Sequence, residues 1–279
     1  MISQGFLKPP TNYTGSKDRL MNQLLTIFPH PNGVDKFYDL FAGGLAVSIN
    51  CCYDKVIAND IITPLIEFYI NLQRAGQTKT VEDEILKILE SKIDKDSQEE
   101  FVKLRAEFNQ TKDPYQFFSL VSSCTNNLMR FNKKFEFNQT WGKRAINEST
   151  IQKIRKYCHA LSTKNIEFTN LSFVDLLAIN PPKKNDFVYF DPPYIGTEAG
   201  YNAFWSKELE NQLYDTIDDL DARGIRFAFS GVSIHKGVPN PFMERLSKYT
   251  VMNLSYDYEK VARRKNVGDS QEILVVNYY

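Results

Sequence analysis

The chain has 279 residues, 42% of them apolar and 24% charged, with 34 basic side chains against 34 acidic ones. That balance excludes a mainly disordered chain and a globally basic nucleic-acid binder, and the length suits about two domains. No run of about 18 apolar residues is present, which excludes a membrane-spanning helix.

The start, MISQGFLKPP, lacks the basic and apolar regions of a signal peptide. Cys51, Cys52, Cys124 and Cys158 show neither CxxC spacing nor a His at ligand spacing. A reducing, cytoplasmic setting with no metal site is the expectation. The first motif, Tyr13-Thr14-Gly15-Ser16-Lys17, fits a turn. It is either an ordinary helix start or a Lys set to meet a carboxylate.

A strand is predicted over 36–40, then a Gly turn over 41–44, a helix over 45–52 and a strand over 55–58. This strand–turn–helix–strand rhythm belongs to an open parallel sheet. Gly43-Gly44 is a tight turn or a place where backbone approaches a ligand. It is not GxGxxG, so a dinucleotide fingerprint is missing. Asp60 follows the second strand, where ribose hydroxyls are held in such sheets, or it caps the helix beginning near Pro64.

The middle of the chain is helical. Thr80 precedes Val81, Ile85, Ile88 and Leu89 at helical spacing. Ser97-x-x-Glu100 is a capping box for a helix carrying Phe101, Leu104 and Phe108. Pro114 opens a helix through 124. Alternating Phe131, Phe135 and Phe137 predict a hairpin or extended loop over 129–141, and a helix follows over 149–162. Arg130, Lys133, Lys134, Lys143, Arg144, Lys153, Arg155, Lys156 and Lys164 face only Glu136 and Glu148 in this stretch. A second basic cluster is Lys260, Arg263, Arg264 and Lys265. Either is a solvated surface or a phosphate-facing stripe. Trp141-Gly142-Lys143-Arg144 holds an Arg able to read guanine or to touch phosphate.

Strands resume over 166–169 and 187–190, the latter a continuous apolar run buried on both faces. Ser206 caps a helix carrying Leu209, Leu213, Ile217 and Leu220, which Gly224 stops. Further strands are predicted over 225–229, 251–256 and 272–277. The sheet is therefore split by a mostly helical insertion. Domain boundaries are 1–69 with 165–279 for the sheet and 70–164 for the insertion.

The strongest chemical signal is Phe187-Val188-Tyr189-Phe190-Asp191-Pro192-Pro193-Tyr194. A buried strand delivers a carboxylate to the sheet's ligand-binding edge. The prolines fix φ and remove two N–H donors. Asp191 and the Pro192 carbonyl become adjacent acceptors beside the Tyr194 ring. A planar ring bearing an exocyclic amino group suits them, its two N–H bonds directed at the acceptors and its face on Tyr194. A strand-ending proline turn is the plainer alternative.

These residues together resemble the Dam-type, D12-class, alpha-group DNA adenine methyltransferases of bacteria and phages. NYTGSK (12–17), DLFAGGLAVSIN (39–50), ANDI (58–61), WGKRAIN (141–147), DFVYFDPPY (186–194), RGIRFAFS (223–230) and the closing SQEILVVNYY keep that family's order. The resemblance implies an α/β, Rossmann-like sheet dependent on S-adenosylmethionine, with an inserted, mostly helical target-recognition domain. Tyr13, Lys17, Asp39, Phe41, Gly43, Asp60, Asp175 and Asp191 are then cofactor-binding. Asp191, Pro192 and Tyr194 are catalytic. Arg130, Lys133, Lys134, Thr140, Lys143 and Arg144 are DNA-binding. Double-stranded DNA is the implied partner and a cognate restriction endonuclease a candidate one. Arg144 matches a guanine-reading Arg, so GATC is the first expectation for the site. Thr140 replaces a Pro, and Thr125 an aromatic wedge, of the enzymes that read GATC. Cytosine-N4 methylation and a catalytically silent DNA-binding relative are the alternatives; the former more often has Ser in place of Asp191.

Overall fold

The computed structural model describes residues 5–10, 15–193, 205–235, 237–240, 242–254 and 271–279. Tyr13, Tyr194 and the cluster at Lys260, Arg263, Arg264 and Lys265 lie outside the described residues.

The strands are β1 (Phe37–Asp39), β2 (Val56–Asn59), β3 (Ile166–Thr169), β4 (Phe187–Phe190), β5 (Arg226–His235), β6 (Val238–Pro239), β7 (Thr250–Asn253) and β8 (Gln271–Val276). They form one sheet in the order β3-β2-β1-β4-β5-β8-β7, with β6 paired to β5. The first five named strands of chain order run parallel. β8 runs antiparallel between β5 and β7. β1, β2 and β4 are buried at every position, because helices cover both faces.

The helices are α1 (Met21–Ile27), α2 (Ala46–Asn50), α3 (Thr63–Thr78), α4 (Val81–Glu90), α5 (Gln98–Thr111), α6 (Pro114–Ser123), α7 (Glu148–Thr163), α8 (Phe173–Ile179), α9 (Lys207–Ala222) and α10 (Met243–Leu246). None is long and apolar enough to cross a membrane. Side chains alternate between the two sheet faces. Phe37, Val56, Phe187 and Tyr189 pack with α1, α2, α3 and α7. Tyr38, Ile57, Val188, Phe190 and Phe227 pack with α8 and α9.

Local chemistry sets the helix ends. Ser97 Oγ accepts from Glu100 N (3.2 Å) at the start of α5, but the Glu100 carboxylate accepts from Asp94 N rather than closing the box on Ser97. Asp113 Oδ1 accepts from Tyr115 N and Gln116 N (both 2.9 Å) to start α6. Ser206 caps α9, and Gly224 ends it at φ +66.

Several differences from the sequence expectation have local causes. α1 and α8 were not foreseen, since each is a short helix with only a few core-facing residues. The strand expected over 225–229 extends to His235, because β8 continues to pair with it beyond Phe229. The 69/70 boundary falls inside α3, where Tyr69, Leu72 and Ala75 continue one buried stripe. The 129–141 segment is a narrow hairpin, bridged at Phe131–Phe137 and closed at its base by Cys124–Trp141. A Cβ on Gly142 would lie 2.4 Å from the Cys124 carbonyl oxygen, so only glycine fits beside this closure.

Candidate active site

β1 and β4 are neighbours at the centre of the sheet, and the strands that follow them in order lie on opposite sides. Their carboxyl ends therefore border the switch point at which open α/β sheets take ligands. Asp39 ends β1 and Asp191 follows β4. Asp39 pairs in register with Tyr189, so Asp191 lies two residues further along the adjacent strand.

Asp39 is 1% exposed. Ser48, on the buried face of α2, donates its hydroxyl to Asp39 Oδ2 at 2.6 Å. Asp39 Oδ1 is buried with no hydrogen-bond partner among the described residues. Burial pushes this carboxyl up to about 7; the Ser48 bond opposes that, and the nearby Asp191 and Asp60 charges add to it.

Lys17 lies against Asp191. Its ammonium is 2.8 Å from Asp191 Oδ1 and also donates to the Gly15 carbonyl at 2.9 Å. The side chains are 4% and 17% exposed, so the ion pair is largely out of water. Both readings of the Gly15-Ser16-Lys17 turn hold, since Ser16 also caps a short 3₁₀ helix, Lys17–Arg19.

The Phe41–Gly44 turn is tied down from below. Gly43 sits at φ +47, a region that suits glycine. Its N–H donates to Asp60 Oδ2 (2.9 Å), and its carbonyl accepts from the Tyr69 hydroxyl (3.0 Å). Asp60 Oδ1 accepts from Ile62 N at 3.0 Å, so this carboxylate braces the turn against the start of α3. Burial raises its pKa, against the pull of the Ile62 and Gly43 donors.

Phe41, Phe173 and Trp205 gather at the same edge, with ring centroids 5.5–6.0 Å apart. Trp205 Nε1 is a buried donor with no partner among the described residues. Asp175 stands on the exposed first turn of α8. It accepts from Ser172 Oγ (2.7 Å), which in turn accepts from Asp175 N. Pro192 is buried next to Asp191.

Ser48, Asn59 and Trp205 went unread in the sequence. Asn59 Nδ2 donates to the carbonyls of Leu40 and Leu171, and its Oδ1 accepts from Leu171 N. It thus joins the loops after β1 and β3. A buried Asn ending an apolar strand was the available signal.

The insertion carries a separate basic groove of about 930 Å³. Lys92, Lys95, Lys143, Arg144 and Lys153 line it, against Asp94 and Glu100. Arg144 donates through Nη1 to Asn127 Oδ1. Asn127 is held by its own Nδ2 bonds to the Val121 and Ser122 carbonyls. Arg130 braces the hairpin, donating from Nε and Nη2 to Asn138 Oδ1 and O (both 2.9 Å). Lys133 and Lys134 are exposed near the hairpin tip. Thr125 and Thr140 touch each other, hydroxyl to hydroxyl at 3.0 Å. The two departures from the GATC-reading pattern are therefore one local contact.

A family model described as D12 class N6 adenine-specific DNA methyltransferase matches residues 13–263. Type II methyltransferase M.FokI of Planomicrobium okeanokoites is 32% identical over 285 residues, covering 99% of this chain and 44% of the relative. Modification methylase StsI of Streptococcus sanguinis is 32% identical over 284 residues, covering 98% and 43%. A DNA adenine methylase of Serratia marcescens is 28% identical over 208 residues, 72% of each chain. The chain spans less than half the length of the first two relatives.

Proposed function

The chain belongs to the D12 class N6 adenine-specific DNA methyltransferases, and from that premise we propose that it transfers a methyl group from S-adenosylmethionine to the N6 amino group of an adenine rotated out of duplex DNA. The observation that supports this most is the pairing of Lys17 with Asp191 beside the buried Asp39, all at the sheet's switch point.

The residues fit the cofactor. The orphaned Asp39 Oδ1 suits an ammonium group, which is what the methionine end offers. Asp60 Oδ1 and Oδ2 each retain capacity for a further hydrogen bond, as ribose hydroxyls require. The Phe41, Phe173 and Trp205 rings suit a purine.

When bound, S-adenosylmethionine supplies an electrophilic methyl carbon on a sulfonium sulfur. Asp191 and the Pro192 carbonyl accept the two N–H bonds of the target amine, and Tyr194 stacks on its ring. Two acceptors favour a pyramidal nitrogen, whose lone pair is then localised rather than spread into the ring. Lys17 holds Asp191 in place through the 2.8 Å contact to its Oδ1. With the donor bound, methyl transfer would form the N–C bond as the C–S bond breaks, leaving the electron pair on sulfur, and the surplus N6 proton would leave after transfer. Alignment supplies much of the rate. Base rotation costs a few kcal/mol, recovered by stacking and hydrogen bonds in the pocket.

The test is labelled methyl transfer from S-adenosylmethionine to defined duplexes, followed by nucleoside analysis. N6-methyladenine is expected. Label on cytosine, or none on any DNA while the cofactor still binds, rejects the proposal.

Residues 70–164 supply target recognition in this reading, with GATC the first sequence to try and a restriction endonuclease of the same specificity the proposed counterpart. Arg144→Ala is expected to lose about 1–3 kcal/mol of discrimination at one guanine. An equal loss on every sequence would assign Arg144 to phosphate instead.

Proton linkage gives another expectation. Asp39 titrates near 7 in the free chain, so below that pH it is neutral and a poor host for an ammonium group. Cofactor affinity should weaken as pH falls through about 7, with a proton released on binding near pH 6. Calorimetry in buffers of different ionisation enthalpy measures this. No proton release at the lower pH would remove Asp39 from the ammonium site.

A further inference from the structure

We infer that Asn127 is a positioning residue for Arg144, holding its guanidinium so that the remaining N–H donors are presented to a base of the target duplex. The inference rests on the proposed reading of Arg144 as a base-reading residue and goes beyond it by naming the side chain that presets it.

The two residues meet at the end of α6. The last carbonyls of a helix have no partner within it, and those of Val121, Ser122 and Ser123 are met from outside. Asn127 Nδ2 donates to the Val121 carbonyl at 3.0 Å and to the Ser122 carbonyl at 3.3 Å. Gly142 N donates to the Ser123 carbonyl at 2.9 Å, which brings the chain to this helix end just before Arg144. Asn127 is buried, and its φ of +53 lies in the left-handed region, where Asn is better tolerated than most side chains.

Chemistry fixes which way the Asn127 amide points. Its nitrogen faces two carbonyl oxygens and must be the donor end, so Oδ1 is left to accept from Arg144 Nη1. A flipped amide would set oxygen against the carbonyls and NH2 against the guanidinium. The partial negative charge at the carboxyl end of α6 also favours a cation there. Among the described residues, Asn127 is the one hydrogen-bond partner of the Arg144 side chain. Nε and Nη2 therefore keep their donors.

Both residues line the basic groove, with Arg144 exposed in it and Asn127 buried beneath. A long exposed Arg samples many rotamers and loses that freedom when it binds. Tied at one nitrogen to a buried amide, Arg144 has lost much of it before DNA arrives. A fork of Nε and Nη2 suits guanine O6 and N7, a contact that depends on direction far more than a phosphate contact does.

The test measures kcat/KM for methyl transfer on the duplex that the wild type methylates best and on duplexes changed from it at one base pair each. The proteins are the wild type, Asn127→Gly, Arg144→Ala and the double variant, with thermal midpoints and the salt dependence of duplex affinity recorded for each. Glycine keeps the left-handed backbone of residue 127 and removes its side chain. Asn127→Gly should lose about three- to tenfold of the discrimination at the guanine that Arg144→Ala identifies, and none elsewhere. Its salt slope should match the wild type, because no cation is lost. In the Arg144→Ala background, Asn127→Gly should lower discrimination no further. Asn127→Asp is a second variant, which keeps an acceptor for Arg144 but sets an oxygen against the Val121 and Ser122 carbonyls. It should lower the thermal midpoint more than Asn127→Gly does, yet retain more discrimination. If Asn127→Gly discriminates like the wild type, or if its loss persists in the Arg144→Ala background, the inference fails while the proposed function stands. Discrimination that follows the thermal midpoint across the Gly and Asp variants assigns Asn127 to the helix end alone and also overturns it. If Arg144→Ala relaxes no position, the reading of Arg144 fails and the inference with it. A wild type that methylates no duplex sinks the proposed function itself.

Discussion

Asp191→Asn is expected to lower the rate constant for methyl transfer to duplex DNA by about 10²- to 10⁴-fold, with duplex affinity changed only a few-fold. Asn keeps the shape of the side chain but converts one carboxylate oxygen into an N–H donor. That donor opposes the target amine, itself a donor, and removes the charge that Lys17 contacts at 2.8 Å. Single-turnover kinetics isolates the chemical step, and an equilibrium DNA-binding measurement gives the affinity. A variant retaining transfer within about tenfold of the wild type would exclude Asp191 as the acceptor. Asn is a better probe than Ala here, because Ala would also open space beside a nearly buried lysine.

Lys17→Met is expected to destabilise the folded chain by about 3 kcal/mol, the scale for breaking one side of a buried ion pair. The cause is electrostatic. Asp191 shares its surroundings with Asp39, whose carboxyl the Asp191 charge already helps to raise. Taking away the ammonium leaves that repulsion less compensated at the carboxyl ends of β1 and β4. The double variant Lys17→Met with Asp191→Asn should recover most of the lost stability while remaining inactive, because both charges are gone. Urea denaturation of the four proteins closes the cycle. Additive losses in the double variant would show that the contact contributes nothing to folding. Lys17 is a positioning residue in this account, and its activity loss should be partly restored by Lys17→Arg, which keeps the charge.

The relation between sequence and site differs from motif to motif. The strand at 187–190 was legible as a continuous apolar run and the one at 166–169 as the sheet pattern resuming after the helices, and the observed bounds agree. Alternating Phe residues among Lys and Asn pointed to a hairpin or an extended loop over 129–141, and the hairpin is what forms. Asp39, Asp60 and Asp191 could each be placed near the carboxyl end of a strand, because a polar residue that interrupts a buried run marks its end. The same logic gave several helix caps. α1 and α8 escaped because short helices carry too few core-facing residues for periodicity to register.

Arg130 and Arg144 show where charge reading stops. Both stood out as basic positions in the insertion, but charge alone did not separate their roles. In the fold Arg130 braces the hairpin through Asn138, whereas Arg144 sits in the basic groove and is held by Asn127. Lys92 and Lys95 complete that groove from the loop after α4, outside the basic stretch of 130–164.

By itself, then, the sequence determined the types of the longer elements, the split of the sheet by a helical insertion, the strand-end carboxylates and the family resemblance. These are properties of short stretches, set by side-chain period, turn chemistry and residue order. Only the tertiary structure decided that Lys17 meets Asp191, that Ser48 leaves one Asp39 oxygen open, and that Asn59 joins two loops. Each of these depends on which distant segments become neighbours, and strand order and packing fix that for the chain as a whole.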